Sequence, residues 1–264
     1  MAVSEKIELL GKGLYTDIPD TLTLSSIPTV SELDMVSAED FETTMLDNVF
    51  PKVIAEKIDF RKLLEIDFIW ICRALRILSY GPYHTVNAVF CSNCGKTSYG
   101  EYTADLRTID CKALPAGFVN DVVIPADKFV DFDGDIHLSL LTIQDALNAN
   151  RDTAFQTPGG KSNRKLARMC YMIKSIRNKK NLNPVDVKLM IQNELSAADY
   201  ILLKDAVDEL TDYGMRIGGK IGCPACHTNN GAFVAFVDDK FFRPSVGAIR
   251  EWAAERNSKS SGTK

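Results

Sequence analysis

Two Cys-x-x-Cys knuckles, Cys91/Cys94 and Cys223/Cys226, are the residues whose type and spacing specify a chemistry. They read Phe90-Cys91-Ser92-Asn93-Cys94-Gly95-Lys96 and Gly222-Cys223-Pro224-Ala225-Cys226-His227. Each tight turn can aim two sulfurs at one ion, and two such turns complete a closed tetrahedral shell with no position left for substrate. Gly95 suits the positive φ needed after a second ligand, and Pro224 stiffens the other turn. Lys96 and Lys220 stand close enough in sequence to offset the excess negative charge of four thiolates on a divalent ion. The expected metal is one structural zinc per chain, held by Cys91, Cys94, Cys223 and Cys226; iron is the alternative ion for the same donors.

The knuckles lie about 130 residues apart, against roughly 15 to 20 in a compact zinc ribbon. Lengthening a loop from roughly 15 to roughly 130 residues adds only about 2 kcal/mol of closure entropy, whereas structural zinc binding is worth roughly 10 to 16 kcal/mol. A ribbon split by a long insertion is therefore affordable. Residues 85–90, 99–106 and 232–237 have the β-branched and aromatic content of its strands. Cys72 and Cys170 fall in apolar helical stretches and read as core, Cys111 is unassigned, and His227 reads as a neighbour of the site rather than a ligand.

Composition fits a globular chain large enough for one or two cores: 264 residues, 45% hydrophobic, 25% charged. A net charge of −4 gives no global attraction to nucleic acid or acidic membranes. The most apolar run, 66–78, is interrupted by Asp67, Arg73 and Arg76 and is too short to span a bilayer, so no membrane insertion is expected. With no secretory leader read at the start, a reducing cytoplasm is expected, where paired cysteines favour metal over disulfide.

The elements that must position the knuckles follow from periodicity and capping. The first 30 residues are rich in Gly, Pro, Asp and Thr and read as an extended arm, with Thr21-Leu22-Thr23-Leu24 as a short strand. Ser37-Ala38-Glu39-Asp40 is a start signal for a helix to about Asn48. Leu64, Phe68, Ile71, Leu75 and Leu78 share one face of a helix ending at Gly81-Pro82, with Asp67 and Arg76 at its polar margin. Residues 119–141 alternate like strands, with Asp133-Gly134 as a two-residue hairpin turn. Helices are expected over 164–176, 184–192 and 197–211, the last two capped by Asn183 and Ser196. A short helix carries Trp252, and 258–264 has the composition of a disordered tail.

Other constellations carry less. Asp131, Asp133 and Asp135 lack the spacing and terminal Glu of a calcium loop. Gly160-Lys161-Ser162 resembles the end of a phosphate loop, but Phe155 stands where its first Gly belongs. His84 and His137 have no partner in sequence, and no nucleophile with a base emerges, so no enzyme is expected. The basic run Lys161, Arg164, Lys165, Arg168, Lys174, Arg177, Lys179, Lys180 offers an alternative function, a nucleic-acid-binding zinc-ribbon protein using the helix at 164–180. It lacks interleaved aromatics beyond Tyr171 and is offset by Asp205, Asp208, Glu209 and Asp212, which favours a solvated or protein-facing surface.

Several segments together resemble the baseplate hub and hub-assembly family of T4-like contractile-tailed bacteriophages. These are Leu10-Gly11-Lys12-Gly13-Leu14-Tyr15; the helix from Asp67 to Leu75-Arg76-Ile77-Leu78-Ser79-Tyr80-Gly81; Cys91-Ser92-Asn93-Cys94 followed by Tyr102, Asp105 and Leu106; and a late Cys-x-x-Cys followed by Phe242-Arg243-Pro244-Ser245. Their order spans almost the whole chain. The resemblance implies a structural or assembly protein of a phage tail. Its partners would be other hub or baseplate subunits, with self-association as a further option, and its places the host cytoplasm during assembly and the tail baseplate of the virion. The expected fold is α+β: an extended arm at 1–30, N-terminal helices at 31–84, and a split zinc ribbon at 85–111 and 215–245. The hairpin and helical insertion occupies 112–214, and a short helix with a disordered tail 246–264. Zinc would fix the insertion against the N-terminal helices, and the arm would order on a neighbouring subunit.

Overall fold

The N-terminal segment finds its hydrogen-bond partners inside the chain. In the computed structural model, which describes residues 4–36, 39–156, 163–215, 219–233, 239–242 and positions Gly247, Arg250, Trp252 and Ala254, β1 (Ser4–Glu8) pairs antiparallel with β2 (Thr21–Ser25). The alternation in Thr21-Leu22-Thr23-Leu24 turns Leu22 and Leu24 inward, where Ile7, Leu9, Ile18 and Ile27 join the same buried cluster as Phe68, Ile71 and Leu75. The segment expected as an extended arm is thus a folded part of the core. Its Gly and Asp content serves the turn: Gly13 has φ +76° and its N–H donates to Asp20 at 2.8 Å.

Helix α1 (Thr29–Val36) follows, then α2 (Phe41–Thr44), a π-helical turn (Met45–Val49) and α3 (Phe50–Val53). Ser37 and Ala38 lie outside the described residues. The helix expected there starts at Phe41, capped by Asp40, whose carboxylate accepts from the Thr43 N–H at 2.9 Å. Helix α4 (Glu65–Tyr80) buries Phe68, Ile71, Cys72 and Leu75 as its periodicity predicts, and ends at Gly81 with φ +82°.

Asp67 and Arg76 correct the expectation of a polar margin: both are fully buried. Asp67 accepts from the N–H of Leu10 at 2.6 Å, from the N–H of Gly11 at 3.2 Å and from the Tyr15 hydroxyl, which itself accepts from Leu64 N–H at 2.9 Å. Burial pushes the Asp67 carboxyl up, opposed by these donors, and burial beside Asp67 raises the Tyr15 phenol. A Cβ on Gly11 would sit 2.7 Å from Asp67 Oδ2, so only glycine permits this approach. Arg76 donates to the carbonyls of Phe241 at 2.7 Å, Tyr83 at 2.7 Å and Gly81, and burial pulls its guanidinium down to about 10. Helical periodicity reports only which face a side chain occupies. Here two irregular segments need main-chain partners, and α4 supplies them from within the core.

After α4 come β3 (Tyr83–Cys91), β4 (Thr97–Asp105) and β5 (Cys111–Lys112). The insertion contains β6 (Val122–Ile124), β7 (Ile136–Leu138), α5 (Ile143–Arg151), α6 (Arg164–Met172), β8 (Ile173–Ile176), β9 (Lys179–Lys180), α7 (Pro184–Glu194) and α8 (Ala197–Thr211). The chain returns through β10 (Gly214–Met215), β11 (Gly219–Ile221) and β12 (Gly231–Phe233). Two four-stranded antiparallel sheets result, ordered β11-β12-β3-β4 and β6-β7-β8-β9; β10 pairs with β5 where the insertion closes. The fold is mixed α+β.

Three local expectations change. Asp133-Gly134 is not a two-residue turn, because β6 and β7 are joined by 125–135; Phe132 is buried there, and Asp199 accepts from the N–H of Val130 and Asp131 at 2.6 and 3.1 Å. The helix expected to reach 176 stops at Met172, where Ile173 to Ile176 enter the sheet against β7. The β-branched pair gains more from the ladder than from another helical turn. Caps at Asn183 and Ser196 form as read, accepting from Val185 and Asp199 N–H. The loop Thr157-Pro158-Gly159-Gly160, Gly160-Lys161-Ser162 and the tail 258–264 lie outside the described residues, while Gly247, Arg250, Trp252 and Ala254 are helical. Among the described residues no helix is long and apolar enough to cross a membrane.

Replacing Asp67 with alanine leaves two main-chain donors and a tyrosine hydroxyl without their acceptor. Asp67→Ala is expected to cost about 3 kcal/mol in urea unfolding; a loss under about 1 kcal/mol would show that water replaces the carboxylate.

Candidate metal centre

Each knuckle is built by the same pair of main-chain bonds. Gly95 N–H donates to Cys91 O at 2.8 Å and Cys91 N–H to Lys96 O at 3.0 Å; His227 N–H donates to Cys223 O at 2.8 Å and Cys223 N–H to Thr228 O at 2.7 Å. The residue after the second cysteine must turn left-handed. Gly95 does so at φ +67°, as its type predicts, and His227 occupies the equivalent place at φ +58°. His227 thus serves the turn through its backbone, and the group that could hold a metal consists of the four sulfurs.

Sheet pairing carries the knuckles together. Cys91 ends β3 opposite Gly231 of β12, and β11 leads into the second knuckle. Gly231 allows the approach, since a Cβ there would lie 2.5 Å from Ile221 O and 2.8 Å from Val89 Cγ1. The four Sγ atoms all lie within 4.8 Å of one another, with Cys91 to Cys226 at 3.7 Å and Cys94 to Cys223 at 3.9 Å. A tetrahedron of bonds about 2.3 Å long has edges of about 3.8 Å, so the spacing fits a metal between them. It is far beyond the roughly 2.05 Å of a disulfide.

Cys91 and Cys223 are buried, and Cys94 and Cys226 are half-buried. Lys96 and Lys220 are exposed, and Lys96 acts on the Cys94 sulfur through its main-chain N–H. Thr228 Oγ1 is 3.2 Å from Cys226 Sγ, Asn93 Nδ2 donates to the same sulfur at 3.8 Å, and Ala225 N–H donates to Cys223 Sγ at 3.4 Å. Thr228 holds the Cys226 thiol down to about 6, through its hydroxyl first and its N–H second. Cys94 is pushed up to about 11: the Lys96 N–H lowers it, but burial and the other three sulfurs raise it more. Four thiols at this distance cannot all ionise alone, and a cation removes that repulsion. Thr228 and Asn93 were not legible as part of the centre, because nothing in their type distinguishes them from turn residues. An ion bound by all four sulfurs would contribute folding energy and would have no open position for Lewis-acid chemistry.

The remaining candidates disperse. Cys72 and Cys170 are buried core thiols, both raised by burial, and Cys111 sits half-buried in β5. His137 Nδ1 lies 2.8 Å from Asp121, and His84 stacks near Phe241 with centroids 5.4 Å apart. Asp133 pairs with Arg177, while Asp135 accepts from Ala126 N–H, so the aspartates of 131–135 do not converge. The basic run is broken between α6, β8 and β9. Arg168 makes a two-pronged pair with Glu65, Lys174 pairs with Asp145, and Arg177 with Asp133 and Glu194. The chain matches no family profile, no curated protein and no solved structure.

Two outcomes are expected. Titration of the reduced apoprotein with cobalt(II) should give a tetrahedral thiolate spectrum saturating at one ion per chain and lost in Cys94→Ser; a spectrum of oxygen and nitrogen ligands would refute the tetrathiolate. His227→Gly should retain that stoichiometry and gain about 1 kcal/mol by relieving the left-handed backbone; loss of the metal would instead make the imidazole a ligand.

Proposed function

We propose that this protein is a structural or assembly subunit of a contractile phage tail, acting in or on the baseplate hub through protein contacts, with one zinc ion as a structural clamp. The observation that carries the reading is where the hub-like segments sit. Leu10 and Gly11 of the first segment bond to Asp67 of the second. Arg76 and Gly81 of the second bond to each other, and Arg76 also holds Phe241, beside the last segment. The knuckles join the remaining two. Segments that resemble the family thus make the contacts that define the fold, as expected of a scaffold whose shape is its function.

Zinc suits a closed four-thiolate shell that needs no redox change. The chain would act in the host cytoplasm and on the growing baseplate, beside other hub subunits or a second copy of itself. The reading of a nucleic-acid binder through 164–180 is weakened, because Arg168, Lys174 and Arg177 are committed to carboxylates.

The test is an infection in which the chain is supplied only as Cys223→Ser. Baseplates should fail to form while heads accumulate, with zinc absent from the purified variant by elemental analysis. Normal tails from a zinc-free variant would overturn the proposal. Binding of DNA or RNA with a steep salt dependence, lost when Arg164, Lys165 and Arg168 are neutralised, would replace it with the alternative.

A further inference from the structure

We infer that the outer edge of β1 receives an extended strand from a partner protein, apolar toward Leu114 and Phe118 and acidic opposite Lys6. The inference goes beyond the hub reading and stands on the edge itself. Among the described residues strand β1 has one neighbour, β2. The Leu9 N–H donates to Asp20 O at 2.8 Å, so in the alternation of an antiparallel pair the main-chain groups of Leu9, Ile7 and Glu5 face β2, and those of Glu8, Lys6 and Ser4 face away. Two bonds confirm the phase. Trp70 Nε1 donates to Glu8 O at 3.1 Å from the outer side, and Thr23, opposite Lys6, directs its own N–H away from β1 to Glu56 at 2.8 Å. The Lys6 N–H and C=O and the Glu8 N–H therefore point outward, with no partner among the described residues.

These groups line a groove of about 640 Å³ whose far wall is 113–118. An edge carrying Glu5, Lys6 and Glu8 could be guarded against pairing by charge alone. The wall argues otherwise, because Leu114 and Phe118, half-buried and packed in part against the core, also line this groove beside unpaired main-chain groups. Strand addition uses this combination: main-chain bonds for affinity and pockets for alternate side chains. Charge sets the register. Glu8 is held by Lys12 at 2.7 Å, which leaves the Lys6 ammonium to be matched by a carboxylate on the entering strand.

The probe is an acetylated, amidated hexapeptide, Thr-Val-Glu-Val-Thr-Val, added to the metal-loaded full chain and followed by amide hydrogen exchange. At saturating peptide, exchange at Lys6 and Glu8 should slow at least tenfold while Ile7 and Leu9, already bonded, stay unchanged. N-methylation of alternate peptide amides, or Glu→Lys in the peptide, should weaken binding about tenfold. Lys6→Pro removes the outward N–H and the ammonium together but no bond to β2, so it should stay folded and lose the peptide; Phe118→Ala provides a second variant that leaves the strand intact and should also weaken binding. No protection at millimolar peptide, equal binding of the N-methylated form, or undiminished binding to a folded Lys6→Pro would overturn the inference. Tail assembly is not read here, so this result and the hub reading fail separately.

Discussion

Helix α4 carries two buried charged side chains whose partners are mostly main-chain groups, and the arrangement of both chain ends depends on them. Asp67 gathers the N–H groups of Leu10 and Gly11, and Arg76 gathers the carbonyls of Phe241, Gly81 and Tyr83. Burying either charge opposes folding unless every bond is made. The same cost gives specificity: only one path of the 10–15 loop presents two N–H groups and a tyrosine hydroxyl to one carboxylate. Apolar packing around Phe68, Ile71 and Leu75 would hold the segments near the helix, but packing alone tolerates many loop paths.

The four cysteines close the chain a second time, across a sequence separation of 129 residues between Cys94 and Cys223. Their work is made easier by β5 and β10, which pair just inside the insertion and bring its ends together. The insertion is also bonded to the N-terminal region through Glu65 N–H to Leu141 O and Ile143 N–H to Leu63 O. Much of the loop-closure entropy is thus offset by the insertion's own contacts, independently of any metal.

The four-cysteine cluster was legible because its signal is local: Cys-x-x-Cys sets two thiols in one turn, and Gly95 announces the left-handed residue that follows. Its second half was less so, since His227 takes the same backbone conformation without a glycine's signature. Helices with polar caps, α7 and α8, and the main apolar face of α4 were readable for the same local reason. What escaped depended on distant partners. Nothing near Asp67 or Arg76 in sequence reveals that loops over fifty and over a hundred residues away lack main-chain partners. Likewise Ile173 continues a helical pattern until the β7 edge becomes available. The 1–30 segment misled because turn residues and disordered segments share a composition.

A continuous set of contacts runs from the metal to the N-terminal edge: Cys91 ends β3, the Tyr83 carbonyl at its start is held by Arg76, α4 carries Asp67, and Asp67 holds Leu10 just beyond β1. Contiguity alone does not transmit a signal, which requires an element with two arrangements that both ends bias. Between the two ends α4 is an uninterrupted helix from Glu65 to Tyr80, and both of its buried charges are hydrogen-bonded. It acts as a rigid spacer. The four-cysteine cluster and the β1 edge are thus joined through one continuous helix rather than through a loop.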